Sequence, residues 1–370
     1  MSGVPFVDFR SHVQSLRAEL DAAYARVLDS GIFILGKEGD AFERELAAAF
    51  SANEAIGVGN GTEALQLALE ASGIKAGDEV VTSPMSAAFT VLAILRCGAT
   101  PVFADLDQAT LNLDPRATAK VLGKKTKALL PVHLYGHPCD LDPFLELAKS
   151  HGLVLIEDAC QAHGALYRGK PVGAISGLGA LSFYPTKNLG AFGDGGAVLV
   201  NDKETAARVR RLRNGGQTDR YRHESLGMNS RLDEIQAAIL RVKLAHLSGF
   251  TERRRALAAL YREGLEGASV ELPREQAYAR AVYHLFVIRH KKRDALAKAL
   301  QERGVGTLIH YPIPLHLQPA FSSLGLREGS FPVCERAARE ILSLPLYPEL
   351  SEEQVRFVAG SVREAAASLE

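Results

Sequence analysis

One lysine stands out for its setting. Lys187 lies in SFYPTKNLGAFGDGG, residues 182–196, a glycine-rich stretch between two short apolar runs, Gly179–Phe183 and Ala197–Val200. The flanking runs read as buried strands, which puts the lysine in the loop between them. Glycine lets backbone close in on a bound group. A lysine drawn out of water there loses basicity, toward the range in which a neutral amine attacks a carbonyl. A β-hairpin turn with a surface lysine is the plainer alternative, and this stretch alone leaves both open.

Two more segments carry groups that suit such chemistry. In AIGVGNGTEALQLALEASG, residues 55–73, a strand at Ala55–Val58 runs through Gly59, Asn60, Gly61 and Thr62 into a helix with Ala64, Leu65, Ala68 and Leu69 on one face. The free N–H groups of such a helix start, beside a threonine hydroxyl, form a seat for phosphate; a threonine serving only as helix cap explains the same letters. In GLVLIEDACQAHGA, residues 152–165, the apolar run Leu153–Ile156 ends on Glu157 and Asp158. Ligands of parallel sheets sit beyond the carboxyl ends of the strands, where Asp158 falls.

The elements that must position these groups alternate. Strands are expected within 77–84, 99–107 and 127–136, with helices near 86–97 and 141–152 between them, which predicts a mostly parallel sheet covered by helices on both faces. Ahead of them, Leu16–Leu28 has helical spacing, and GIFILGKEG, residues 31–39, is an apolar loop that belongs to the core or to a subunit contact. Residues 203–214 form a helix whose arginines, Arg208, Arg210, Arg211 and Arg213, read as a solvated face. Another helix begins near Leu232, and 244–265 looks like a long charged helix. The domain boundary is placed at its start, giving a large unit, 1–248, and a smaller one, 249–370. Within the latter, IHYPIPLHLQPAF, residues 309–321, holds three prolines that forbid a regular helix, and it reads as a shaped wall. His163 and His316 are divided between packing and hydrogen bonding, and His133 is structural.

Composition narrows the partners. Lysine plus arginine equals aspartate plus glutamate at 43 each, so no net field draws the 370-residue chain to nucleic acid or an anionic membrane. The four cysteines are scattered and pair with no histidine, which suggests neither a metal site nor a disulfide framework. No apolar run approaches membrane-spanning length, and the N-terminus lacks the apolar core of a signal peptide. A cytoplasmic location is expected.

Taken together and in order, Asn60-Gly61-Thr62, Glu157-Asp158-Ala159-Cys160-Gln161-Ala162-His163-Gly164 and Ser182-Phe183-Tyr184-Pro185-Thr186-Lys187-Asn188 give a chain that resembles the DegT-type nucleotide-sugar aminotransferases. The similarity runs from VPFVDF near the N-terminus to IHYPIPLHLQPAF. It implies fold type I, an α/β architecture with a mostly parallel seven-stranded sheet flanked by helices and a smaller α+β C-terminal domain. It also implies that Lys187 forms the Schiff base with pyridoxal 5′-phosphate (PLP), that Asp158 pairs with the pyridine nitrogen, and that Gln161 meets the ring hydroxyl. Gly61, Thr62 and Ser182 would hold the phosphate, joined by Asn229 from the second subunit of a homodimer. Where relatives place an aromatic residue over the ring, this chain has Ala87, with Phe89 two residues on, and the choice between them stays open. The resemblance favours 3-keto over 4-keto sugars as acceptors, with Arg231, His310 and Tyr311 against the sugar or its diphosphate and L-glutamate as donor. A PLP-dependent sugar dehydratase and a PLP-binding regulatory protein are the alternatives.

Overall fold

The computed structural model of the protein describes residues 3–369. Its centre is one sheet of seven strands: β1 (Glu54–Val58), β2 (Glu79–Thr82), β3 (Thr100–Phe103), β4 (Thr126–Leu130), β5 (Val154–Leu155 continued by Glu157–Asp158), β6 (Leu178–Ser182) and β7 (Gly196–Val200). Their order is β3-β2-β4-β5-β6-β7-β1. Only β7 runs against the others. Strand β5 joins the two halves of the sheet, since Ile156 N–H donates to Leu129 O on one side and Glu157 and Asp158 pair with β6 on the other. The central strands are apolar without alternation because helices cover both faces. As β1, β2, β5 and β6 are parallel, Asn60, Ser83, Asp158 and Ser182 all emerge at one edge of the sheet.

Helix α1 (Arg17–Ser30) and helix α2 (Lys37–Ala49) flank the sheet, and the loop between them leaves Ile32, Phe33, Ile34 and Leu35 exposed. Tyr24 and Leu28 of α1 extend that apolar surface. Helix α3 (Gly61–Ala71) follows β1 directly, capped by Asn60, whose Oδ1 accepts the Glu63 N–H at 2.9 Å. Helix α4 (Ala88–Arg96) follows β2.

The two helical stretches expected after residue 232 are a single rod, α5 (Glu234–Gly264). Its first half packs Ala237, Leu240 and Leu247 on the core around the sheet. Its second half packs Leu257, Ala258 and Tyr261 on another core, built from β8 (Phe286–Arg289), β9 (Ile341–Leu344), α6 (Arg293–Glu302) and α7 (Glu352–Ala367). No residue between 234 and 264 breaks the helix, because the stretch lacks proline and its apolar positions simply change partner. Val4, from the N-terminal segment, bridges Val305 and lies in that second core. No described helix is long and apolar enough to cross a membrane.

Candidate active site

Lys187 stands in the excursion between β6 and β7. These strands pair in antiparallel register, Ser182 opposite Gly196, so the connection has hairpin topology, yet it is folded inward and not a surface turn. Phe183, Leu189 and Ala191 are fully buried, and the Ala191 N–H returns to Phe183 O at 2.7 Å. Lys187 N–H closes a turn on Tyr184 O at 2.8 Å. Helix α5 grips the loop from below: Lys243 Nζ donates to Gly190 O at 2.7 Å, and Gln236 Oε1 accepts the Phe192 N–H at 2.8 Å. Asn188 donates to Val282 O at 3.1 Å, tying the residue beside the lysine to a buried member of the core around the sheet.

Burial lowers the pKa of the Lys187 ammonium, opposed by the nearby Cys160 thiol and the Asp158 carboxylate. Among the described residues its Nζ has no hydrogen-bond acceptor and no ion pair. The field of the lysine is felt around it, because His163, His284 and His310 are each held below the ordinary histidine value first by burial and then by Lys187.

Asp158, at the end of β5, is 3 % exposed. Its Oδ2 accepts from Thr90 Oγ1 at 2.8 Å and its Oδ1 from Cys160 N–H at 3.2 Å. Thr90 in turn meets Ser86 Oγ at 3.0 Å. Behind Asp158, Glu157 is fully buried and accepts from Gly173 N–H and Ser176 N–H, each at 2.7 Å, and stands 3.1 Å from His133 Nε2. The other His133 nitrogen accepts Cys139 N–H at 2.9 Å, which makes Nε2 the protonated one. His133 is structural, as its place in the sequence implied. Gln161 accepts the Tyr135 N–H through Oε1 at 2.9 Å and donates through Nε2 to Tyr311 Oη at 3.2 Å.

At the start of α3 the N–H groups of Gly61 and Thr62 and the hydroxyls of Thr62 and Ser182 donate to nothing among the described residues. Gly61 abuts Ser182 and Cys160 so closely that a Cβ on it would lie 2.6 Å from Ser182 Cβ. Four free donors at a helix N-terminus make an anion seat. An amine without an acceptor and a carboxylate without a cation stand near it at the same sheet edge. That set fits a cofactor carrying an aldehyde, a protonatable ring nitrogen and a phosphate.

Not every anticipated residue joins this group. Asn229 is exposed and bridges Asn214, and Arg231 donates to Asn214 Oδ1 at 3.0 Å. Ser230 between them turns inward, where its Oγ accepts Gly59 N–H at 3.0 Å. Ala87 is the half-buried cap residue of α4, and Phe89 is 60 % exposed, so neither is packed down within its own subunit. His310 Nδ1 lies 2.9 Å from Ser343 Oγ, and its carbonyl accepts the Tyr135 hydroxyl. His163 is packed between Phe50 and Phe183, with neither ring nitrogen hydrogen-bonded. His316 instead reaches Glu335 at 2.9 Å. Thr90, Tyr135, Lys243 and Gln236 were not singled out from the sequence. The hydroxyl of Thr90, in the first turn of α4, is the one signal that could have marked it.

A desolvated lysine, a buried carboxylate and an anion seat, gathered on the carboxyl edge of this sheet, define a PLP-dependent aminotransferase of fold type I. The model of the DegT/DnrJ/EryC1/StrS aminotransferase family matches residues 14–363, and the chain belongs to that family. It is 50 % identical over 364 residues to the dTDP-3-amino-3,4,6-trideoxy-alpha-D-glucose transaminase of Streptomyces venezuelae, across 98 % of this chain and 96 % of the relative. It is also 46 % identical to a Geobacillus stearothermophilus protein named a pleiotropic regulatory protein, over 98 % of both chains. The crystal structure of S. venezuelae DesV in complex with a ketimine intermediate superposes with a TM-score of 0.97 at 50 % identity, covering 99 % of each chain.

Proposed function

We propose that the protein transfers an amino group from L-glutamate to the keto carbon of a nucleotide-linked ketosugar, with a 3-keto acceptor preferred over a 4-keto one. The name of the S. venezuelae relative, a 3-amino sugar transaminase, supports that preference. The observation that carries the reading is the half-buried Lys187 amine, lowered in basicity, without an acceptor among the described residues, and within the field of the Asp158 carboxylate.

Bound PLP supplies an electron sink for the pair released when a Cα–H bond breaks. The residues around it divide the remaining work. Lys187 would hold the aldehyde and, once displaced by the donor amine, move the proton between the donor's Cα and the cofactor's C4′. An amine of lowered basicity suits that shuttle, since it gives the proton back more readily than an ordinary lysine. Asp158, kept in place by Thr90, would hold a proton on the ring nitrogen. Gln161 would present its amide to the ring hydroxyl, with Ala87 or Phe89 over the ring face. Gly61, Thr62 and Ser182 would seat the phosphate. His310, Tyr311 and Arg231 would face the sugar nucleotide.

We propose a cytoplasmic homodimer with shared sites. The exposed Asn229, bridged to Asn214, would reach the phosphate of the partner, and the exposed apolar residues Tyr24, Leu28, Ile32, Phe33, Ile34 and Leu35 supply an area to bury. Four free cysteines suit a reducing compartment. The large unit, 1–248, would carry the cofactor, and the smaller, 249–370, the wall above it.

The test is a panel of ketosugar nucleotides incubated with glutamate and with glutamine, read by product mass. Replacement of the keto oxygen by an amine supports transfer, and loss of water supports a dehydratase. The name of the Geobacillus relative favours a second reading, a PLP-binding regulator. Stoichiometric PLP with no amino transfer across the panel is its signature.

A further inference from the structure

Tyr135 sits in a left-handed turn, φ 59°, just after β4, and is 8 % exposed. The turn around it is fixed on three sides. His133 N–H donates to Asp158 O at 3.0 Å, the His133 ring is held by buried Glu157, and Leu134 N–H donates to Asn112 Oδ1 at 3.0 Å. From this anchored position Tyr135 makes two hydrogen bonds toward the site, and its hydroxyl also lies 3.7 Å from Met85 Sδ. Its N–H, which can only donate, fixes Gln161 Oε1 and thereby forces the Gln161 amide nitrogen to face Tyr311. Its hydroxyl, kept protonated by burial, donates to the carbonyl of His310.

We infer that Tyr135 is a positioning residue for acceptor binding: its hydroxyl holds the main chain at His310, and so the substrate-facing pair His310–Tyr311, in register with the Gln161 amide that its own N–H orients. The inference rests on the reading above that His310 and Tyr311 face the sugar nucleotide. Gln161 meets the segment directly at Tyr311, and Tyr135 holds both sides of that contact, the amide through its N–H and the main chain before Tyr311 through its hydroxyl. Elsewhere His310 is held at its ring, by Ser343 Oγ at 2.9 Å and by the stacked ring of Phe6.

The test is Tyr135→Phe, which deletes the hydroxyl and keeps the ring and the N–H. Equilibrium binding of dTDP-glucose and UDP-glucose, non-ketone probes, should weaken about tenfold, the scale of one lost buried hydrogen bond. In turnover, the KM for the ketosugar nucleotide should rise by a similar factor while kcat at saturating acceptor stays within about threefold. Unchanged probe affinity with unchanged KM overturns the inference, as does an equal loss of kcat and PLP retention, which marks a merely structural tyrosine. If Tyr135→Phe does not fold, Ser343→Ala loosens the same segment at the ring, and unchanged probe affinity there overturns the inference instead. Failure of the wild-type protein to bind either probe or any ketosugar nucleotide sinks the substrate reading itself, a different result from wild-type binding that Tyr135→Phe leaves intact.

Discussion

Thr90 Oγ1 donates to Asp158 Oδ2 at 2.8 Å, from the first turn of one helix to the end of the central strand. A hydrogen bond to an ionised group contributes about 1.5–3 kcal/mol, and its loss leaves a buried carboxylate with less support. Thr90→Val keeps the shape and removes the donor. The variant should hold PLP about tenfold or more weakly, measured by fluorescence titration of the apoprotein; equal affinity would show that Asp158 needs no such brace.

Lys187→Ala should lose the visible absorbance of the bound cofactor together with turnover. Asp158→Asn should keep the cofactor and lose kcat by about 10²–10⁴, the range for removal of a group that manages a proton in the transition state. Spectra and steady-state rates of the two variants give the check. A Lys187→Ala protein that retains full colour would move the reactive amine elsewhere.

Gly61→Ala tests the anion seat by steric means. The new Cβ would stand 2.6 Å from Ser182 Cβ and 3.2 Å from Cys160 Sγ, too close for either to stay in place. Alanine suits the helical backbone at Gly61 itself, but Ser182 Cβ is fixed to β6, so the helix start or the strand end must shift. The variant should fold, as circular dichroism would show, and require at least about tenfold more PLP for half-saturation. Unaltered half-saturation would exclude Gly61 from the seat.

Acid should destabilise the apoprotein through its buried histidines. Burial, then Lys187, lowers His163 from 6.5 to about 3 and His310 from 6.5 to about 4. A base with a depressed folded pKa is protonated first in the unfolded chain, so stability is intact above about pH 6.5 and drains away as pH falls toward the folded values. The slope is at most about 1.4 kcal/mol per pH unit for each histidine. Urea unfolding from neutral pH to about pH 5 should give a shallower decline in His163→Gln than in the wild type. Parallel declines would clear His163 of the effect.

Phe33 lies in the exposed apolar loop, 49 % accessible within the subunit. Phe33→Asp puts a charge where a second copy is proposed to sit, and light scattering should report half the wild-type mass. Turnover should fall with it, because Asn229 would no longer reach a partner's phosphate. An intact dimer would send the search for the interface to another surface.

The sequence marked the candidate groups where a residue leaves a local trace. Lys187 has glycines around it, Asp158 ends an apolar run, and Gly61-Thr62 separates a strand from a helix; each alone had a plainer reading, and the three segments in order carried the site. The mostly parallel sheet followed from strand and helix alternation, and its seven strands from the family resemblance. What escaped reading acts across long separations. Thr90 reaches Asp158 from 68 residues away, and Lys243 grips Gly190 from 53 residues away. No local pattern encodes such a pairing. The continuity of α5 was missed for a related reason: the helix changes its packing partner midway, and the change of apolar stripe resembles a boundary.

That continuity has a mechanical consequence. The first half of α5 holds the main chain beside Lys187 through Lys243, and its last turn holds the C-terminal core through Tyr261 Oη on Pro345 O at 2.9 Å. The helix between these two anchors is a strut about 27 Å long at about 1.5 Å per residue. Motion of the C-terminal core is therefore conveyed to the lysine loop along covalent backbone, and loosening either end loads the other.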